Sequence, residues 1–114
     1  MAIDPKILAL IEELSESTSA DRIDWDKTDD PETFAASFRN HKVSLKRGVD
    51  LNRDYYFDLA IKSSFPRSTI ETVMIDTGEE LELATDLYFA ARRKALGLDP
   101  TLDQMLADLR AIRA

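Results

Sequence analysis

The densest run of chemistry-bearing side chains lies mid-chain: Arg39, His41, Lys42, Lys46, Arg47 and Arg53. Lys42 and Lys46 share strand parity, so both project away from the face that carries Val43 and Leu45. Arg39 and Arg53 flank them and are expected to join from the adjoining turns. Lysine and arginine in such a group suit a phosphate-bearing anion, held by charge-assisted hydrogen bonds. Tyr56 adds a ring that can stack on a base. Alternation places Tyr55 and Tyr56 on opposite faces, one expected in the core and the other exposed. The plainer explanation is that basic residues on strands discourage edge-to-edge pairing.

Catalytic devices are not evident. His41 is the sole histidine, with no signature serine motif around it to build a nucleophilic triad. No ligand cluster at metal spacing accompanies it. Three glycines, Gly48, Gly78 and Gly97, are too few and too scattered for a glycine-rich phosphate loop. Asp24 with Asp26 and Asp29 with Asp30 are read as solvating and capping groups rather than an acid–base pair. The chain is therefore read as a non-enzyme, with no catalytic residue, cofactor or metal assigned.

These residues need elements to position them. A first helix is expected from Asp4 as N-cap and Pro5 at the first helical position. Ile7, Leu8, Ile11 and Leu14 form its buried stripe, Ile3 staples onto Leu8, and Ser15 to Ala20 ends it. Ile23 and Trp25 then alternate with aspartates, a short strand or an extended tether that pins Trp25 into the core. Strands are expected at Phe34 to Phe38, Val43 to Leu45, Tyr55 to Ile61 and Ile70 to Ile75. Gly48 to Asp54 reads as a polar loop, and Ser63 to Ser68, with Pro66, as a break.

Thr77 and Glu80 have the form of a capping box before a long helix, which Gly97 stops. Arg92, Arg93 and Lys94 complement the negative end of that helix. Asp99 and Pro100 restart a last helix, where Leu102, Met105, Leu106, Leu109 and Ile112 recur at helical spacing. Against the sheet this stripe is core; between subunits it is an interface. The order implies a single α+β domain over residues 1–114: an N-terminal helix, a four-stranded antiparallel meander, and two C-terminal helices packed on one sheet face.

Composition narrows the function classes. The 114 residues carry a net charge of −7, distributed unevenly: −7 over 1–32, +4 over 33–67 and −4 over 68–114. A basic island in an acidic chain suits a small anion better than extended nucleic acid, whose phosphates the acidic segments repel. The sequence has no cysteine, signal-peptide pattern or membrane-length apolar run, so a cytoplasmic protein without a membrane partner is expected.

Trp25 after a short helix, the strand pair Phe34–Phe38 and Val43–Leu45, and the pattern Leu87-Tyr88, Ala91-Arg92, Ala95-Leu96 before Asp99 resemble a loose group of small, acidic bacterial and phage proteins. The resemblance implies this layout and carries no catalytic or binding residue over. The long Ser63 to Ser68 connection and the acidic stretch Asp21 to Glu32 depart from it. The leading reading is a small regulatory protein that works by protein–protein contact and self-association. Two others stand beside it: sequestration of a small phosphorylated or nucleotide signal at the basic strands, and an antitoxin-like block of a basic partner by Asp21 to Glu32.

Overall fold

A computed structural model describes residues 4–64 and 67–113. Helix α1 (Pro5–Ser19) leads into strands β1 (Asp26–Lys27), β2 (Thr33–Phe38), β3 (His41–Val49), β4 (Tyr55–Ser64) and β5 (Arg67–Ile75). Helices α2 (Gly78–Ala95) and α3 (Leu98–Arg113) follow. The strands form one antiparallel sheet in chain order, so every neighbour in sequence is a neighbour in space. The class is α+β, with five strands where four were expected. The additional one is β1, two residues at the end of the Trp25 tether that pair with Phe34 and Ala35.

Alternation sorts the sheet into two faces. Phe34, Ala36, Val43, Leu45, Phe57 and Leu59 lie in register across the covered face and are all buried. Ala84, Leu87, Tyr88 and Ala91 of α2 close over them, and Ile11 and Leu14 of α1 complete the cluster beside α2. Helix α1 thus takes the place foreseen for the last helix. Among the described residues α3 packs on no strand; it meets α2 alone, and none of its residues is buried.

Several boundaries differ from expectation for local reasons. Asp4 does cap α1, its carboxylate accepting from the Lys6 N–H at 2.8 Å, with Pro5 following. Ile3, the expected staple, lies outside the described residues. Helix α1 ends within its serine-rich segment as foreseen, at Ser19 with Ala20 as cap. Thr18 donates to the Leu14 carbonyl at 2.6 Å and accepts from the Trp25 indole N–H at 2.9 Å, which satisfies both buried groups. Trp25 is buried as foreseen. Gly48 belongs to β3, not to a loop. The Tyr56 ring from β4 lies across it, in the space that a Cβ would occupy.

The break expected at Ser63 to Ser68 is shorter than foreseen. β4 continues to Ser64, paired with Arg67 at the start of β5; Phe65 and Pro66 lie outside the described residues. A bulge at Ile70 absorbs one residue between Ile61 and Lys62. At the entry to α2, Thr77 makes no side-chain capping bond, and Gly78 takes a left-handed turn (φ +73°) that the expected capping box did not include. Helix α3 begins at Leu98, so Asp99 and Pro100 sit in its first turn rather than at its cap. No described helix is long and apolar enough to cross a membrane.

The Thr18 hydroxyl generates a test. Thr18→Val keeps the shape but leaves the buried indole N–H without its acceptor, and should cost about 1–3 kcal/mol in urea unfolding. Thr18→Ser should retain most of that stability.

Candidate functional site

The strands that hold the basic residues also hold acids against them. Lys46 meets Asp30 at 3.3 Å, and Arg47 Nε donates to Glu32 Oε2 at 2.9 Å. Lys94 of α2 contacts Asp21. Half of the six acids between Asp21 and Glu32 are therefore paired within the fold, while Asp21, Asp24, Asp26 and Asp29 remain exposed.

Arg47 is on the covered side, not with Lys42 and Lys46. Its guanidinium sits 5.3 Å from the ring centres of Tyr55 and Tyr88 and 5.7 Å from that of Phe89. Tyr88 is fully buried and donates its hydroxyl to the Glu32 carbonyl at 2.9 Å and to Glu32 Oε2 at 3.2 Å. Burial pushes the Tyr88 hydroxyl up to about 12, with the Glu32 charge adding to it. A hydroxyl held protonated in this way is a docking group and a poor base. Glu32 lies below the ordinary carboxylate value, chiefly because Arg47 hydrogen-bonds it. Asp30 is lowered by the Glu32 backbone N–H and, more weakly, by Lys46; Asp21 is lowered by Lys94.

The proposed anion group does not assemble as foreseen. Arg39 and His41 lie at the β2–β3 turn, where Arg39 takes a left-handed conformation (φ +54°). Arg53 lies in the 50–54 loop at the far end of β3, roughly 30 Å away along a nine-residue strand. Lys42 and Lys46 do share the open face, but Lys46 faces Asp58 in register and pairs with Asp30. Tyr56 is half-buried over Gly48, on the open face, while Tyr55 is the exposed tyrosine despite its covered-face parity. Tyr55 starts β4 at the rim of the α2 cover, lining a recess with Leu81 and Thr85, a position that alternation alone does not show. Among the described residues, no three His, Cys, Asp or Glu side chains converge as a metal site.

The residues of the last helix do assemble. Leu102, Met105, Leu106, Leu109 and Ile112 form a continuous apolar stripe, and every one is exposed, from 37% at Leu102 to 79% at Ile112. Leu98 extends the stripe backwards in the same 4-3-4-3 spacing: 98, 102, 105, 109, 112. Leu98 lies ahead of the Asp99 start that the capping pattern indicates, so the spacing pattern from sequence does not include it. Helical spacing also places Asp99, Asp103, Arg110 and Arg113 along one flank of the stripe, acids first and arginines last. Asp99 is braced by Arg93 across the α2–α3 junction.

Comparison with protein-family models, curated proteins and solved structures yields no match. The geometry alone therefore carries the functional argument.

The depressed carboxyl groups predict the pH response. Their stabilisation is complete above the unfolded values of 3.8 and 4.5 and is lost as pH falls through the folded values. Unfolding midpoints should drop on acidification below about pH 4.5, and Glu32→Gln should flatten part of that slope. At the alkaline end the raised Tyr88 acts in the opposite sense: stability should decline from pH 10 towards about 12. Tyr88→Phe should remove that decline.

Proposed function

We propose that this chain is a small cytoplasmic, non-catalytic binding protein that acts through protein–protein contact, and that α3 is its self-association element. The exposed stripe on α3 is the observation that carries this reading. The hydrophobic effect disfavours five large apolar side chains in water on one helix face, and soluble monomers seldom keep a contiguous patch of that kind. The accessible surface is 8221 Å², against roughly 6,300 Å² for a compact monomer of this mass. The radius of gyration is 16.2 Å, against about 13 Å for a compact chain of this length. That surplus exceeds the ~800 Å² per partner that a stable interface typically buries.

The occupant best matched to α3 is a second α3 running antiparallel. A two-fold arrangement centred near Leu106 stacks the apolar stripes on each other. It also brings the acidic half of each flank against the arginine half of its partner, Asp103 beside Arg110 and Asp99 beside Arg113. A parallel pair sets acids beside acids at one end. Helix dipoles favour the antiparallel choice as well.

Light scattering should return twice the 12.9 kDa chain mass. Leu109→Glu, at an exposed position of α3, should weaken association about tenfold or more, and its unfolding midpoint should match that of the wild type at dilutions where both are monomeric. Arg110→Glu should weaken it less, and adding Asp103→Arg should restore it. A wild-type chain that stays at 12.9 kDa at every concentration would overturn the reading.

A further inference from the structure

One corner of the open sheet face is built differently from the rest. Lys42 on β3 and Lys62 on β4 are directly opposite in register, both half-buried. Like charges in that position, with Cβ atoms about 5 Å apart, repel. Four residues along the same strands, Lys46 is opposite Asp58 and also meets Asp30, so the fold supplies acids where it needs them. Among the described residues Lys42 and Lys62 have no acid within ion-pair distance, and neither has Arg67. Edge protection does not account for the lysines, since β3 and β4 are both interior strands.

The bulge at Ile70 assembles the corner. An unbroken ladder continuing from Ile61 and Glu71 sets Ile70 opposite Lys62 and turns Thr69 and Arg67 to the other side. With the extra residue taken up, Thr69 faces Lys62, and Arg67 shares the face of Lys42. Ser37 of β2 is in register with Lys42 and completes the row Ser37, Lys42, Lys62, Thr69. A recess of about 520 Å³ opens over this row, and every described residue that lines it is a serine, threonine, lysine or arginine. That volume falls within the range of small-molecule sites and is far larger than an inorganic anion requires.

We propose that this corner binds a phosphorylated sugar or polyol. The phosphoryl group is held between the Lys42 and Lys62 ammonium groups and the Arg67 guanidinium. The hydroxylated body lies against Ser37 and Thr69. Anion binding relieves the repulsion between the two lysines, and charge-assisted hydrogen bonds supply the affinity. Among the described residues the lining has no ring on which to stack a base, so a sugar phosphate fits that lining better than a nucleotide does. The site shares only Lys42 with the group foreseen from sequence. It lies apart from α3, so its failure and that of the self-association reading are separate results.

The probe is glucose 6-phosphate, titrated into the full isotope-labelled chain at low ionic strength and followed by amide shifts. Shifts should centre on Ser37, Lys42, Lys62, Arg67 and Thr69, with inorganic phosphate binding at the same place more weakly and glucose moving nothing. Lys62→Gln should weaken binding about tenfold, and Lys42→Gln with Lys62→Gln should abolish saturable binding. The double variant is expected to unfold at or above the wild-type midpoint, because it loses a like-charge pair; that measurement shows that it is folded. Shifts that are absent, spread over lysines elsewhere such as Lys6 and Lys27, or retained in the double variant would overturn the proposal. So would glucose binding as well as its phosphate ester.

Discussion

Tyr88 fastens the helical layer to the sheet. Its ring lies 5.5 Å from Phe34 and 5.2 Å from Phe57, in tilted and edge-on contacts that join β2 and β4 to α2. Its hydroxyl reaches Glu32 just before β2, and Arg47 of β3 closes the arrangement from above the ring. One side chain thus unites three strands, the connection into the sheet and the covering helix. A tyrosine suits the position because it is large and apolar along its length and has a single donor at its tip. Phenylalanine fills the same volume but leaves the Glu32 carbonyl with one donor fewer.

Charge follows the same logic of local closure. The sequence separates acids and bases into blocks, and the fold brings those blocks back together. Asp30 and Glu32 return to Lys46 and Arg47, and Asp21 reaches across to Lys94. Most of these pairs are exposed, so each adds little stability by itself. Their larger effect is on what remains outside. Once they are subtracted, the cations left without acid partners on the open face are gathered at one corner rather than strewn along β3.

Elements that announce themselves by period were legible in the residues. The alternation of Tyr55 to Ile61, the Asp4-Pro5 helix start and the buried Trp25 all stand where periodicity and capping chemistry put them. What escaped depends on partners distant in sequence. Pro66 argued for a break because a proline weakens a strand in isolation, yet the register on both sides carries the ladder to Ser64 and Arg67. The bulge at Ile70 leaves no mark in hydrophobic pattern, and without it Lys62 and Arg67 have no reason to be grouped. The stripe on α3 was plain to read, but an amphipathic face does not declare what covers it. The placement of α1 beside α2, with α3 meeting α2 alone, shows only that the stripe is not part of the core.

Gly97 gives α3 its bearing. The glycine is left-handed (φ +60°) with open space where a side chain would be, and the Arg93–Asp99 pair spans the junction like a strut. A helix of sixteen residues is about 24 Å long, so turning it by ~20° at this pivot carries its tip about 8 Å. Lever arms of this kind separate two design problems. The sheet and its cover hold the core, whereas the Gly97 turn, the Arg93–Asp99 pair and the α2–α3 contacts together set the angle at which the arm leaves. Selection can therefore re-aim the arm without disturbing the body that holds it.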